Sequence, residues 1–567
     1  MTLRLEKPLQ PRSHTNGMGR RRGGQKQKGA FQMRNLAKYL VEVLQANGVE
    51  VVFGIPGVHS VELYRGLDGS GIRHITPRHE QGAGFMADGY ARVTRKPGVC
   101  FVITGPGMTN IATAMGQAYG DSIPMLVIST VNSPGELGSG RGHLHEMKNQ
   151  SALAAEVSAF SHRILTVQEV EPVLARAFAL FAAARPRPVH IEIPVSTLQL
   201  DASDMPPAQA FRLPLPPAPT PQAVREAVSR LAAAKRPLII AGGGAIPGAA
   251  VIRALALRLG APVLMTVNAR GIVPGDDPLA VPVTGDSPGV APLIKEADVI
   301  LALGTELGPT DFADKLPIRQ ETPGWLIRVD VDPEGLMRGI LPDLPILADA
   351  AATAAAILDR LPQEPWRIDG WGPSRAAEVR DAAVRTLPTV LKAGLALLDE
   401  VMRAQPDAVL VGDSCQPVYA GCSVFGALQP SSWFCSATGF GTLGYALPAA
   451  IGAAIGAPSR TVIGLIGDGG IQFTLGELGS AVEAGTAVRM ILWNNEGYAE
   501  IKRFMRENAI PPLGVDIYTP DFSTIAKSYG WAYEKASSIR ALRLALKRPS
   551  AGNEIIEIDE AALLAAV

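Results

Sequence analysis

The sequence contains no run of 18 or more apolar residues, which excludes a helix long enough to span a bilayer. Cysteine is scarce. Cys100, Cys415, Cys422 and Cys435 are the only four among 567 residues, and no pair has the C-x-x-C spacing of a zinc clip or redox couple. A chain of this size needs no disulfide staples, so the expected compartment is the reducing cytoplasm. Neither sign of charge is in excess. Lys and Arg number 53, as do Asp and Glu, and this balance points to neither nucleic acid nor an anionic membrane surface. Apolar residues make up 47% and charged residues 19%, a balance that allows large buried cores and argues against disorder. At about 100–200 residues per domain, the length corresponds to roughly three or four domains.

The first 32 residues stand apart. They carry Arg4, Lys7, Arg12, Arg20, Arg21, Arg22, Lys26 and Lys28 against Glu6 alone, and they lack the apolar centre of a secretory signal. Residues 1–32 read as a basic disordered extension, or as the product of a start assigned too early. Met33 opens the first clean helical pattern, through Leu40.

Two Pro-rich stretches, 205–222 and 362–373, read as semi-rigid linkers. They separate three domains, 33–204, 223–361 and 374–567, each of ordinary size. Every domain repeats one grammar: a short apolar run, a Gly-containing turn, then a helical pattern. Val51-Val52-Phe53 leads into Gly54-Ile55-Pro56-Gly57, and residues 99–103 lead into Thr104-Gly105-Pro106-Gly107. Residues 237–240 lead into Ala241-Gly242-Gly243-Gly244, and residues 461–466 into Gly467-Asp468-Gly469-Gly470. Fully apolar strands alternating with helices predict an α/β fold, three consecutive parallel β-sheets flanked by helices. Ligands in such sheets sit at the carboxyl ends of strands.

In the third domain Asp468 follows such a strand. A helix beginning near Thr474, with a T-x-x-E capping box to Glu477, leads to the strand Val488–Trp493 and then Asn494-Asn495. One strand–helix–strand unit therefore returns Asp468 and Asn495 to the same sheet edge. A carboxylate and an amide oxygen placed together suit magnesium, which prefers oxygen ligands and takes the rest from phosphate and water. Gly469 and Gly470 let backbone approach phosphate oxygens. In the first domain Glu80 sits in Pro77-Arg78-His79-Glu80-Gln81-Gly82-Ala83, at a strand's carboxyl end and a helix's mouth. A lone acid there is ordinarily a helix-dipole partner.

Taken together, G-I-P-G (54–57), R-H-E-Q-G-A (78–83), G-P-G-M-T-N (105–110), G-T-L-G-Y-A-L-P (441–448), G-D-G-G (467–470) and N-N (494–495) resemble the thiamine-diphosphate enzymes related to acetolactate synthase. The likeness runs from about residue 33 to 555. It implies that Asp468, Asn495 and the Gly497 carbonyl bind magnesium, and that Glu80 hydrogen-bonds N1′ of the cofactor's pyrimidine. It implies that Leu443 props the cofactor into a bent shape while the Gly441 carbonyl receives its pyrimidine amine. Pro56, Gly57, Asn110, Gly469 and Gly470 are candidate cofactor contacts, joined by Ser414 and Cys415 in the loosely matching G-D-S-C-Q (412–416). The family's active site lies between the first domain of one subunit and the third of another, which implies a homodimer or homotetramer.

The reaction is less determined. Acetolactate synthases carry F-Q-E where this chain has Leu144-His145-Glu146, which makes His145 a candidate proton donor. Residues 54–67, 78–92 and 144–146 are most similar to the 2-ketoarginine decarboxylases of arginine catabolism. That implies a lyase releasing carbon dioxide from 5-guanidino-2-oxopentanoate to give 4-guanidinobutanal. A guanidinium substrate requires a carboxylate for fork-like pairing, and Glu146, Glu496 and Glu500 are the candidates. The alternatives are a carboligase of the acetolactate synthase type and a non-catalytic binding or regulatory relative, the latter disfavoured because the glutamate and metal ligands are present. Gly242–Gly244 and the strand Leu326–Asp330 allow a dinucleotide such as FAD in the middle domain, although an empty scaffold is the preferred reading.

Overall fold

The computed structural model describes residues 34–312, 324–363, 371–548 and 552–565. The basic leader 1–32 and Met33 lie outside the described residues, as does most of the second Pro-rich stretch.

Among the described residues, eighteen strands form three six-stranded sheets. The first comprises β1 (Val51–Gly54), β2 (Arg73–Ile75), β3 (Gly98–Val102), β4 (Met125–Val131), β5 (Phe160–Arg163) and β6 (Val189–Pro194). The second comprises β7 (Pro237–Ala241), β8 (Val263–Met265), β9 (Ala280–Val281), β10 (Val299–Leu303), β11 (Trp325–Asp330) and β12 (Leu344–Leu347). The third comprises β13 (Val409–Gly412), β14 (Trp433–Cys435), β15 (Val462–Gly467), β16 (Val488–Asn494), β17 (Ala532–Ala536) and β18 (Glu554–Asp559). All strand pairs within these sheets are parallel, as their apolar runs predict; β1, β3, β4, β6, β7, β10 and β13 are buried at every position.

The first and third sheets share one strand order, β2-β1-β3-β4-β6-β5 and β14-β13-β15-β16-β18-β17. The middle sheet, β9-β8-β7-β10-β11-β12, is doubly wound, with its order reversing between β7 and β10. Thus the outer domains place equivalent loops at equivalent edges. The first Pro-rich stretch is irregular up to a helix at Pro221–Ala233, and its Met205, Ala208 and Phe211 pack on the first domain's core.

Two helices bind the outer domains together, Glu80–Thr94 and Ala446–Gly456. They approach so closely that a Cβ on Gly89 would lie 2.0 Å from the Ala449 carbonyl oxygen, and one on Gly452 1.9 Å from that of Met86. Glycine is required at both crossings. Beside them Arg92 ties the three domains. It donates to Asp88 at 2.6 Å, to Asp121 at 2.6 Å and to the Asn268 amide oxygen at 3.2 Å, while Tyr445 donates to Asp88 and Thr438 to Asp121. Among the described residues no helix is long and apolar enough to cross a membrane.

Candidate functional site

Four loops at the carboxyl edge of the first sheet carry the candidates from that domain. The turn after β1 holds Pro56 and Gly57; the Gly57 N–H donates to Ser60, and a Cβ there would meet Ile103 at 2.3 Å. After β2 the chain enters the helix at Glu80 itself, with His79 as N-cap. Glu80 is 8% exposed and accepts a hydrogen bond from the Asn110 amide at 2.9 Å. Asn110 therefore reaches the glutamate directly. After β3 the turn Thr104–Gly107 is fixed by a buried amide: Gln150 Oε1 accepts from the Thr104 hydroxyl and the Gly105 N–H, both at 3.0 Å. Gln150 in turn donates to Ser129, the Thr130 carbonyl and Glu192.

His145 arrives on the loop after β4 with left-handed backbone, φ 60°. It lies against Gly105, where an added Cβ would stand 2.9 Å from its Cβ, and its ring is 5.2 Å from that of His59 between centroids. The Nδ1 atoms of both histidines are buried without a hydrogen-bond partner. Sequence reasoning found His145 and overlooked His59, although V-H-S directly follows the G-I-P-G turn. Glu146 is spoken for. Burial pushes its carboxyl up, but hydrogen bonds from the Gly140, His143 and Gly142 N–H groups and the Ser139 hydroxyl pull it down to about 2. It closes its own loop and is not available as a guanidinium partner.

The third sheet repeats the arrangement. After β13, Asp413 is fully buried and accepts from the Ser414 N–H at 2.8 Å and the Ala446 N–H at 3.1 Å. Burial pushes it up to about 6 against those bonds. It thereby joins the Ser414-Cys415 turn to the start of the helix Ala446–Gly456, a role the sequence reading passed over. After β14 comes the loop 436–444. Gly441 has φ 70° with open space around it, and Leu443 is half-buried. Gln117 of the first domain holds this loop, accepting from the Thr442 N–H and hydroxyl and donating to the Thr438 carbonyl.

β15 and β16 are neighbours in register, Gly467 opposite Trp493, so Asp468 and Asn495 emerge side by side. Asp468 is buried. It accepts from the Asn495 N–H and the Thr519 hydroxyl, each at 3.3 Å, and burial raises its carboxyl above the usual range. Asn495 donates its amide nitrogen to Glu560 at 3.2 Å, which leaves its oxygen free to act as a ligand. Gly497 follows with φ 147°. A Cβ on Gly469 would collide with the Tyr498 ring at 2.6 Å, and one on Gly470 would press Asp413 at 3.2 Å. Among the described residues no three His, Cys, Asp or Glu side chains cluster as a metal site. One carboxylate, one amide oxygen and one carbonyl beside two glycines nevertheless fit a hard cation that shares phosphate oxygens.

The expected capping box is absent. Helices run at Asp468–Ile471 and Glu477–Glu483, and the Thr474 hydroxyl donates to the Gly444 carbonyl. Glu477 turns to the first domain, accepting from the Arg78 N–H at 3.0 Å and the His79 N–H at 3.1 Å, while Ser480 donates to it at 2.7 Å. The loop that presents Glu80 is thus held by the same chain's third domain. Burial raises the Glu477 carboxyl, and the Ser480, Arg78 and His79 bonds oppose it. The folded state binds that proton more tightly than the unfolded chain, so the group's contribution to stability is greatest below the usual glutamate range and declines as pH rises through the raised value. Glu477→Ala removes the acceptor of the Arg78 and His79 N–H groups, at about 0.5–1.5 kcal/mol each. The expected result is a lower melting temperature and a lower kcat, with a flatter stability profile in acid; thermal melts across pH check it.

The sheets, the paired carboxyl-edge loops and the Asp468–Asn495 corner define a class of enzyme built from a pyrimidine-side and a diphosphate-side domain of common topology around a third. The chain matches the models "Thiamine pyrophosphate enzyme, N-terminal TPP binding domain" (34–153), which takes in β1 to β4, "central domain" (224–357), which takes in the whole middle sheet, and "C-terminal TPP binding domain" (415–559), which takes in β14 to β18. The chain belongs to the thiamine pyrophosphate enzyme family. It is 45% identical over 531 residues, 92% of this chain and 93% of the relative, to the probable 2-ketoarginine decarboxylase AruI of Pseudomonas aeruginosa. It is 32% identical to the acetolactate synthase isozyme 1 large subunit of Escherichia coli, with 81% of each chain covered. To a probable acetolactate synthase large subunit of Methanococcus aeolicus it is 28% identical, covering 94% of this chain and 91% of the other.

Proposed function

We propose that this enzyme decarboxylates 2-ketoarginine to 4-guanidinobutanal and carbon dioxide, using thiamine diphosphate held through Mg2+. The observation that carries this reading is the 45% identity across 92% of the chain to a protein named a probable 2-ketoarginine decarboxylase. In the same direction, His145 stands where acetolactate synthases have glutamine.

Asp468, the Asn495 amide oxygen and the Gly497 carbonyl would hold the metal, while Gly469, Gly470, Ser414 and Cys415 would border the diphosphate. Gly441 and Leu443 would face the pyrimidine and the bend of the cofactor, with Pro56, Gly57 and Asn110 on the first-domain side. Bound thiamine diphosphate supplies an electron sink for loss of carbon dioxide. The protein's part is proton control. Glu80, steadied by Asn110, would exchange a proton with the pyrimidine N1′. His145, unpartnered at Nδ1, would supply the proton that completes the aldehyde.

In one chain the Glu80 carboxyl contacts Asn110 of its own domain, and the Glu80 loop rests on its own Glu477. On the family resemblance, in which the first domain of one subunit faces the third of another, a complete site is assigned to two copies, as homodimer or homotetramer, working in the cytoplasm, where four free thiols persist. The middle domain reads as an empty scaffold. Asp330, the last residue of β11, is paired with Arg185 of the first domain at 2.7 Å. The purified protein is expected to show no flavin absorption bands.

Incubating pure protein with thiamine diphosphate, Mg2+ and either 2-ketoarginine or pyruvate tests the reaction. The expected outcome is aldehyde and carbon dioxide from 2-ketoarginine. Acetolactate from pyruvate, with no aldehyde from 2-ketoarginine, establishes the carboligase reading in its place.

A further inference from the structure

Resting on the 2-ketoarginine reading, we propose that Glu500 is the residue that receives the substrate's guanidinium and that Arg503 holds its place until substrate arrives. Of the three carboxylates first considered, Glu146 is saturated by four donors within its own loop. Glu496 sits exposed on left-handed backbone, φ 58°, and its carboxylate makes no hydrogen bond or ion pair among the described residues. Nothing fixes its direction. Glu500 differs in both respects.

Glu500 lies in the first turn of the helix Ala499–Glu507, five residues after Asn495. The entry to that helix lies over the G-D-G-G turn, since the Tyr498 ring blocks any Cβ on Gly469. The carboxylate is anchored from the opposite side, where Gln416, 6% exposed and next to Cys415, donates its amide to Glu500 Oε2 at 2.9 Å. The segments that follow β13 and β16 thus meet at this one side chain, next to the turn that follows β15. It is a carboxylate held at a fixed angle beside the diphosphate end of the site.

It also already binds a guanidinium. Arg503 places Nε 3.3 Å from Glu500 Oε2 and donates Nη2 to Oε1, the two-pronged geometry that a substrate guanidinium would adopt. Such a pair three residues apart on an exposed helix is common and weak by itself. The buried Gln416 amide and the second carboxylate available to Arg503 make this one different. Arg503 Nη1 also donates to Glu507 at 2.7 Å, so it keeps a partner when the substrate takes Glu500. Glu500 has one guanidinium partner before the exchange and one after it. A neutral side chain of the same length would have to leave Arg503 in place.

The test compares 2-ketoarginine with 2-oxohexanoate, which has an unbranched, uncharged chain. For E500Q the KM for 2-ketoarginine is expected to rise roughly 10–100-fold, as for loss of a charged two-pronged pair, while that for 2-oxohexanoate changes less than about 2-fold. R503M, which removes the internal competitor, is expected to lower the KM for 2-ketoarginine several-fold. Circular dichroism and melting of both variants should match the parent, since neither side chain is buried. An equal effect of E500Q on both substrates, or none on either, overturns the assignment. Failure of the underlying reading shows earlier and separately, as absence of 2-ketoarginine turnover by the unaltered enzyme.

Discussion

Replacing Glu80 by Gln is expected to lower kcat by about 10²–10⁴-fold, the range for loss of a positioned acid–base group, while the melting temperature moves little. The two halves of that expectation come from different features. Gln fills the same volume in a place that is 8% exposed, and its amide oxygen can still accept from Asn110. The structural loss is confined to one negative charge at the positive end of the helix Glu80–Thr94, worth about 0.3–1 kcal/mol. What Gln cannot do is take and return a proton. A variant in which the charge is merely a dipole partner would melt lower and turn over normally. Measured kcat within 3-fold of the parent at saturating thiamine diphosphate and Mg2+ removes Glu80 from proton exchange. Asn110→Ala supplies a graded companion: Glu80 keeps its carboxyl but loses the amide that fixes it, so a smaller fall in kcat is expected.

The architecture was legible because burial on both faces of a parallel sheet leaves an unmistakable pattern. β3 and β4 are apolar throughout apart from Gly98, Ser129 and Thr130, and β15 is buried at all but its last residue. The positions of Asp468 and Asn495 were legible for a related reason, since each stands where an apolar strand stops, whereas Glu80 follows the polar strand Arg73-His74-Ile75 and was singled out by the motif around it. What a linear reading misjudged are contacts between distant parts. Thr474 and Glu477 match a capping box in spacing, but two backbone N–H groups of the Arg78-His79 turn offer Glu477 stronger partners, and the Thr474 hydroxyl finds the Gly444 carbonyl. Local spacing carries no trace of a donor almost 400 residues away. Glu146 misled in the opposite sense: it looked free for a ligand, while four local donors in a Gly-rich loop consume it. Asp413, Gln150 and Arg92 escaped notice because they act as hubs between segments, and no spacing rule marks a hub.

Asp468→Asn gives the other large effect, and it runs in opposite directions for the empty and loaded protein. In the chain alone Asp468 is buried beside N–H and hydroxyl donors, with no cation paired to it among the described residues. Burial raises its carboxyl, which means that ionisation at neutral pH is resisted by the fold. An amide of the same shape relieves that resistance and can still accept from the Asn495 N–H. Without cofactor the variant is therefore expected to melt at or above the parent's temperature. With Mg2+ and thiamine diphosphate the order reverses. Ligand present at 100 times its dissociation constant adds about 2.7 kcal/mol to the stability of the protein that binds it, and the variant forfeits this gain because its metal-binding side chain has no charge. The apparent affinity for Mg2+ is expected to fall at least about 100-fold, beyond the loss typical of an outer partner. Melting curves of both proteins, with and without Mg2+ and thiamine diphosphate, read the crossing directly. A variant that melts below the parent in both states would show that Asp468 serves the fold, whereas crossing curves show a carboxylate kept at the expense of stability because the cation needs it.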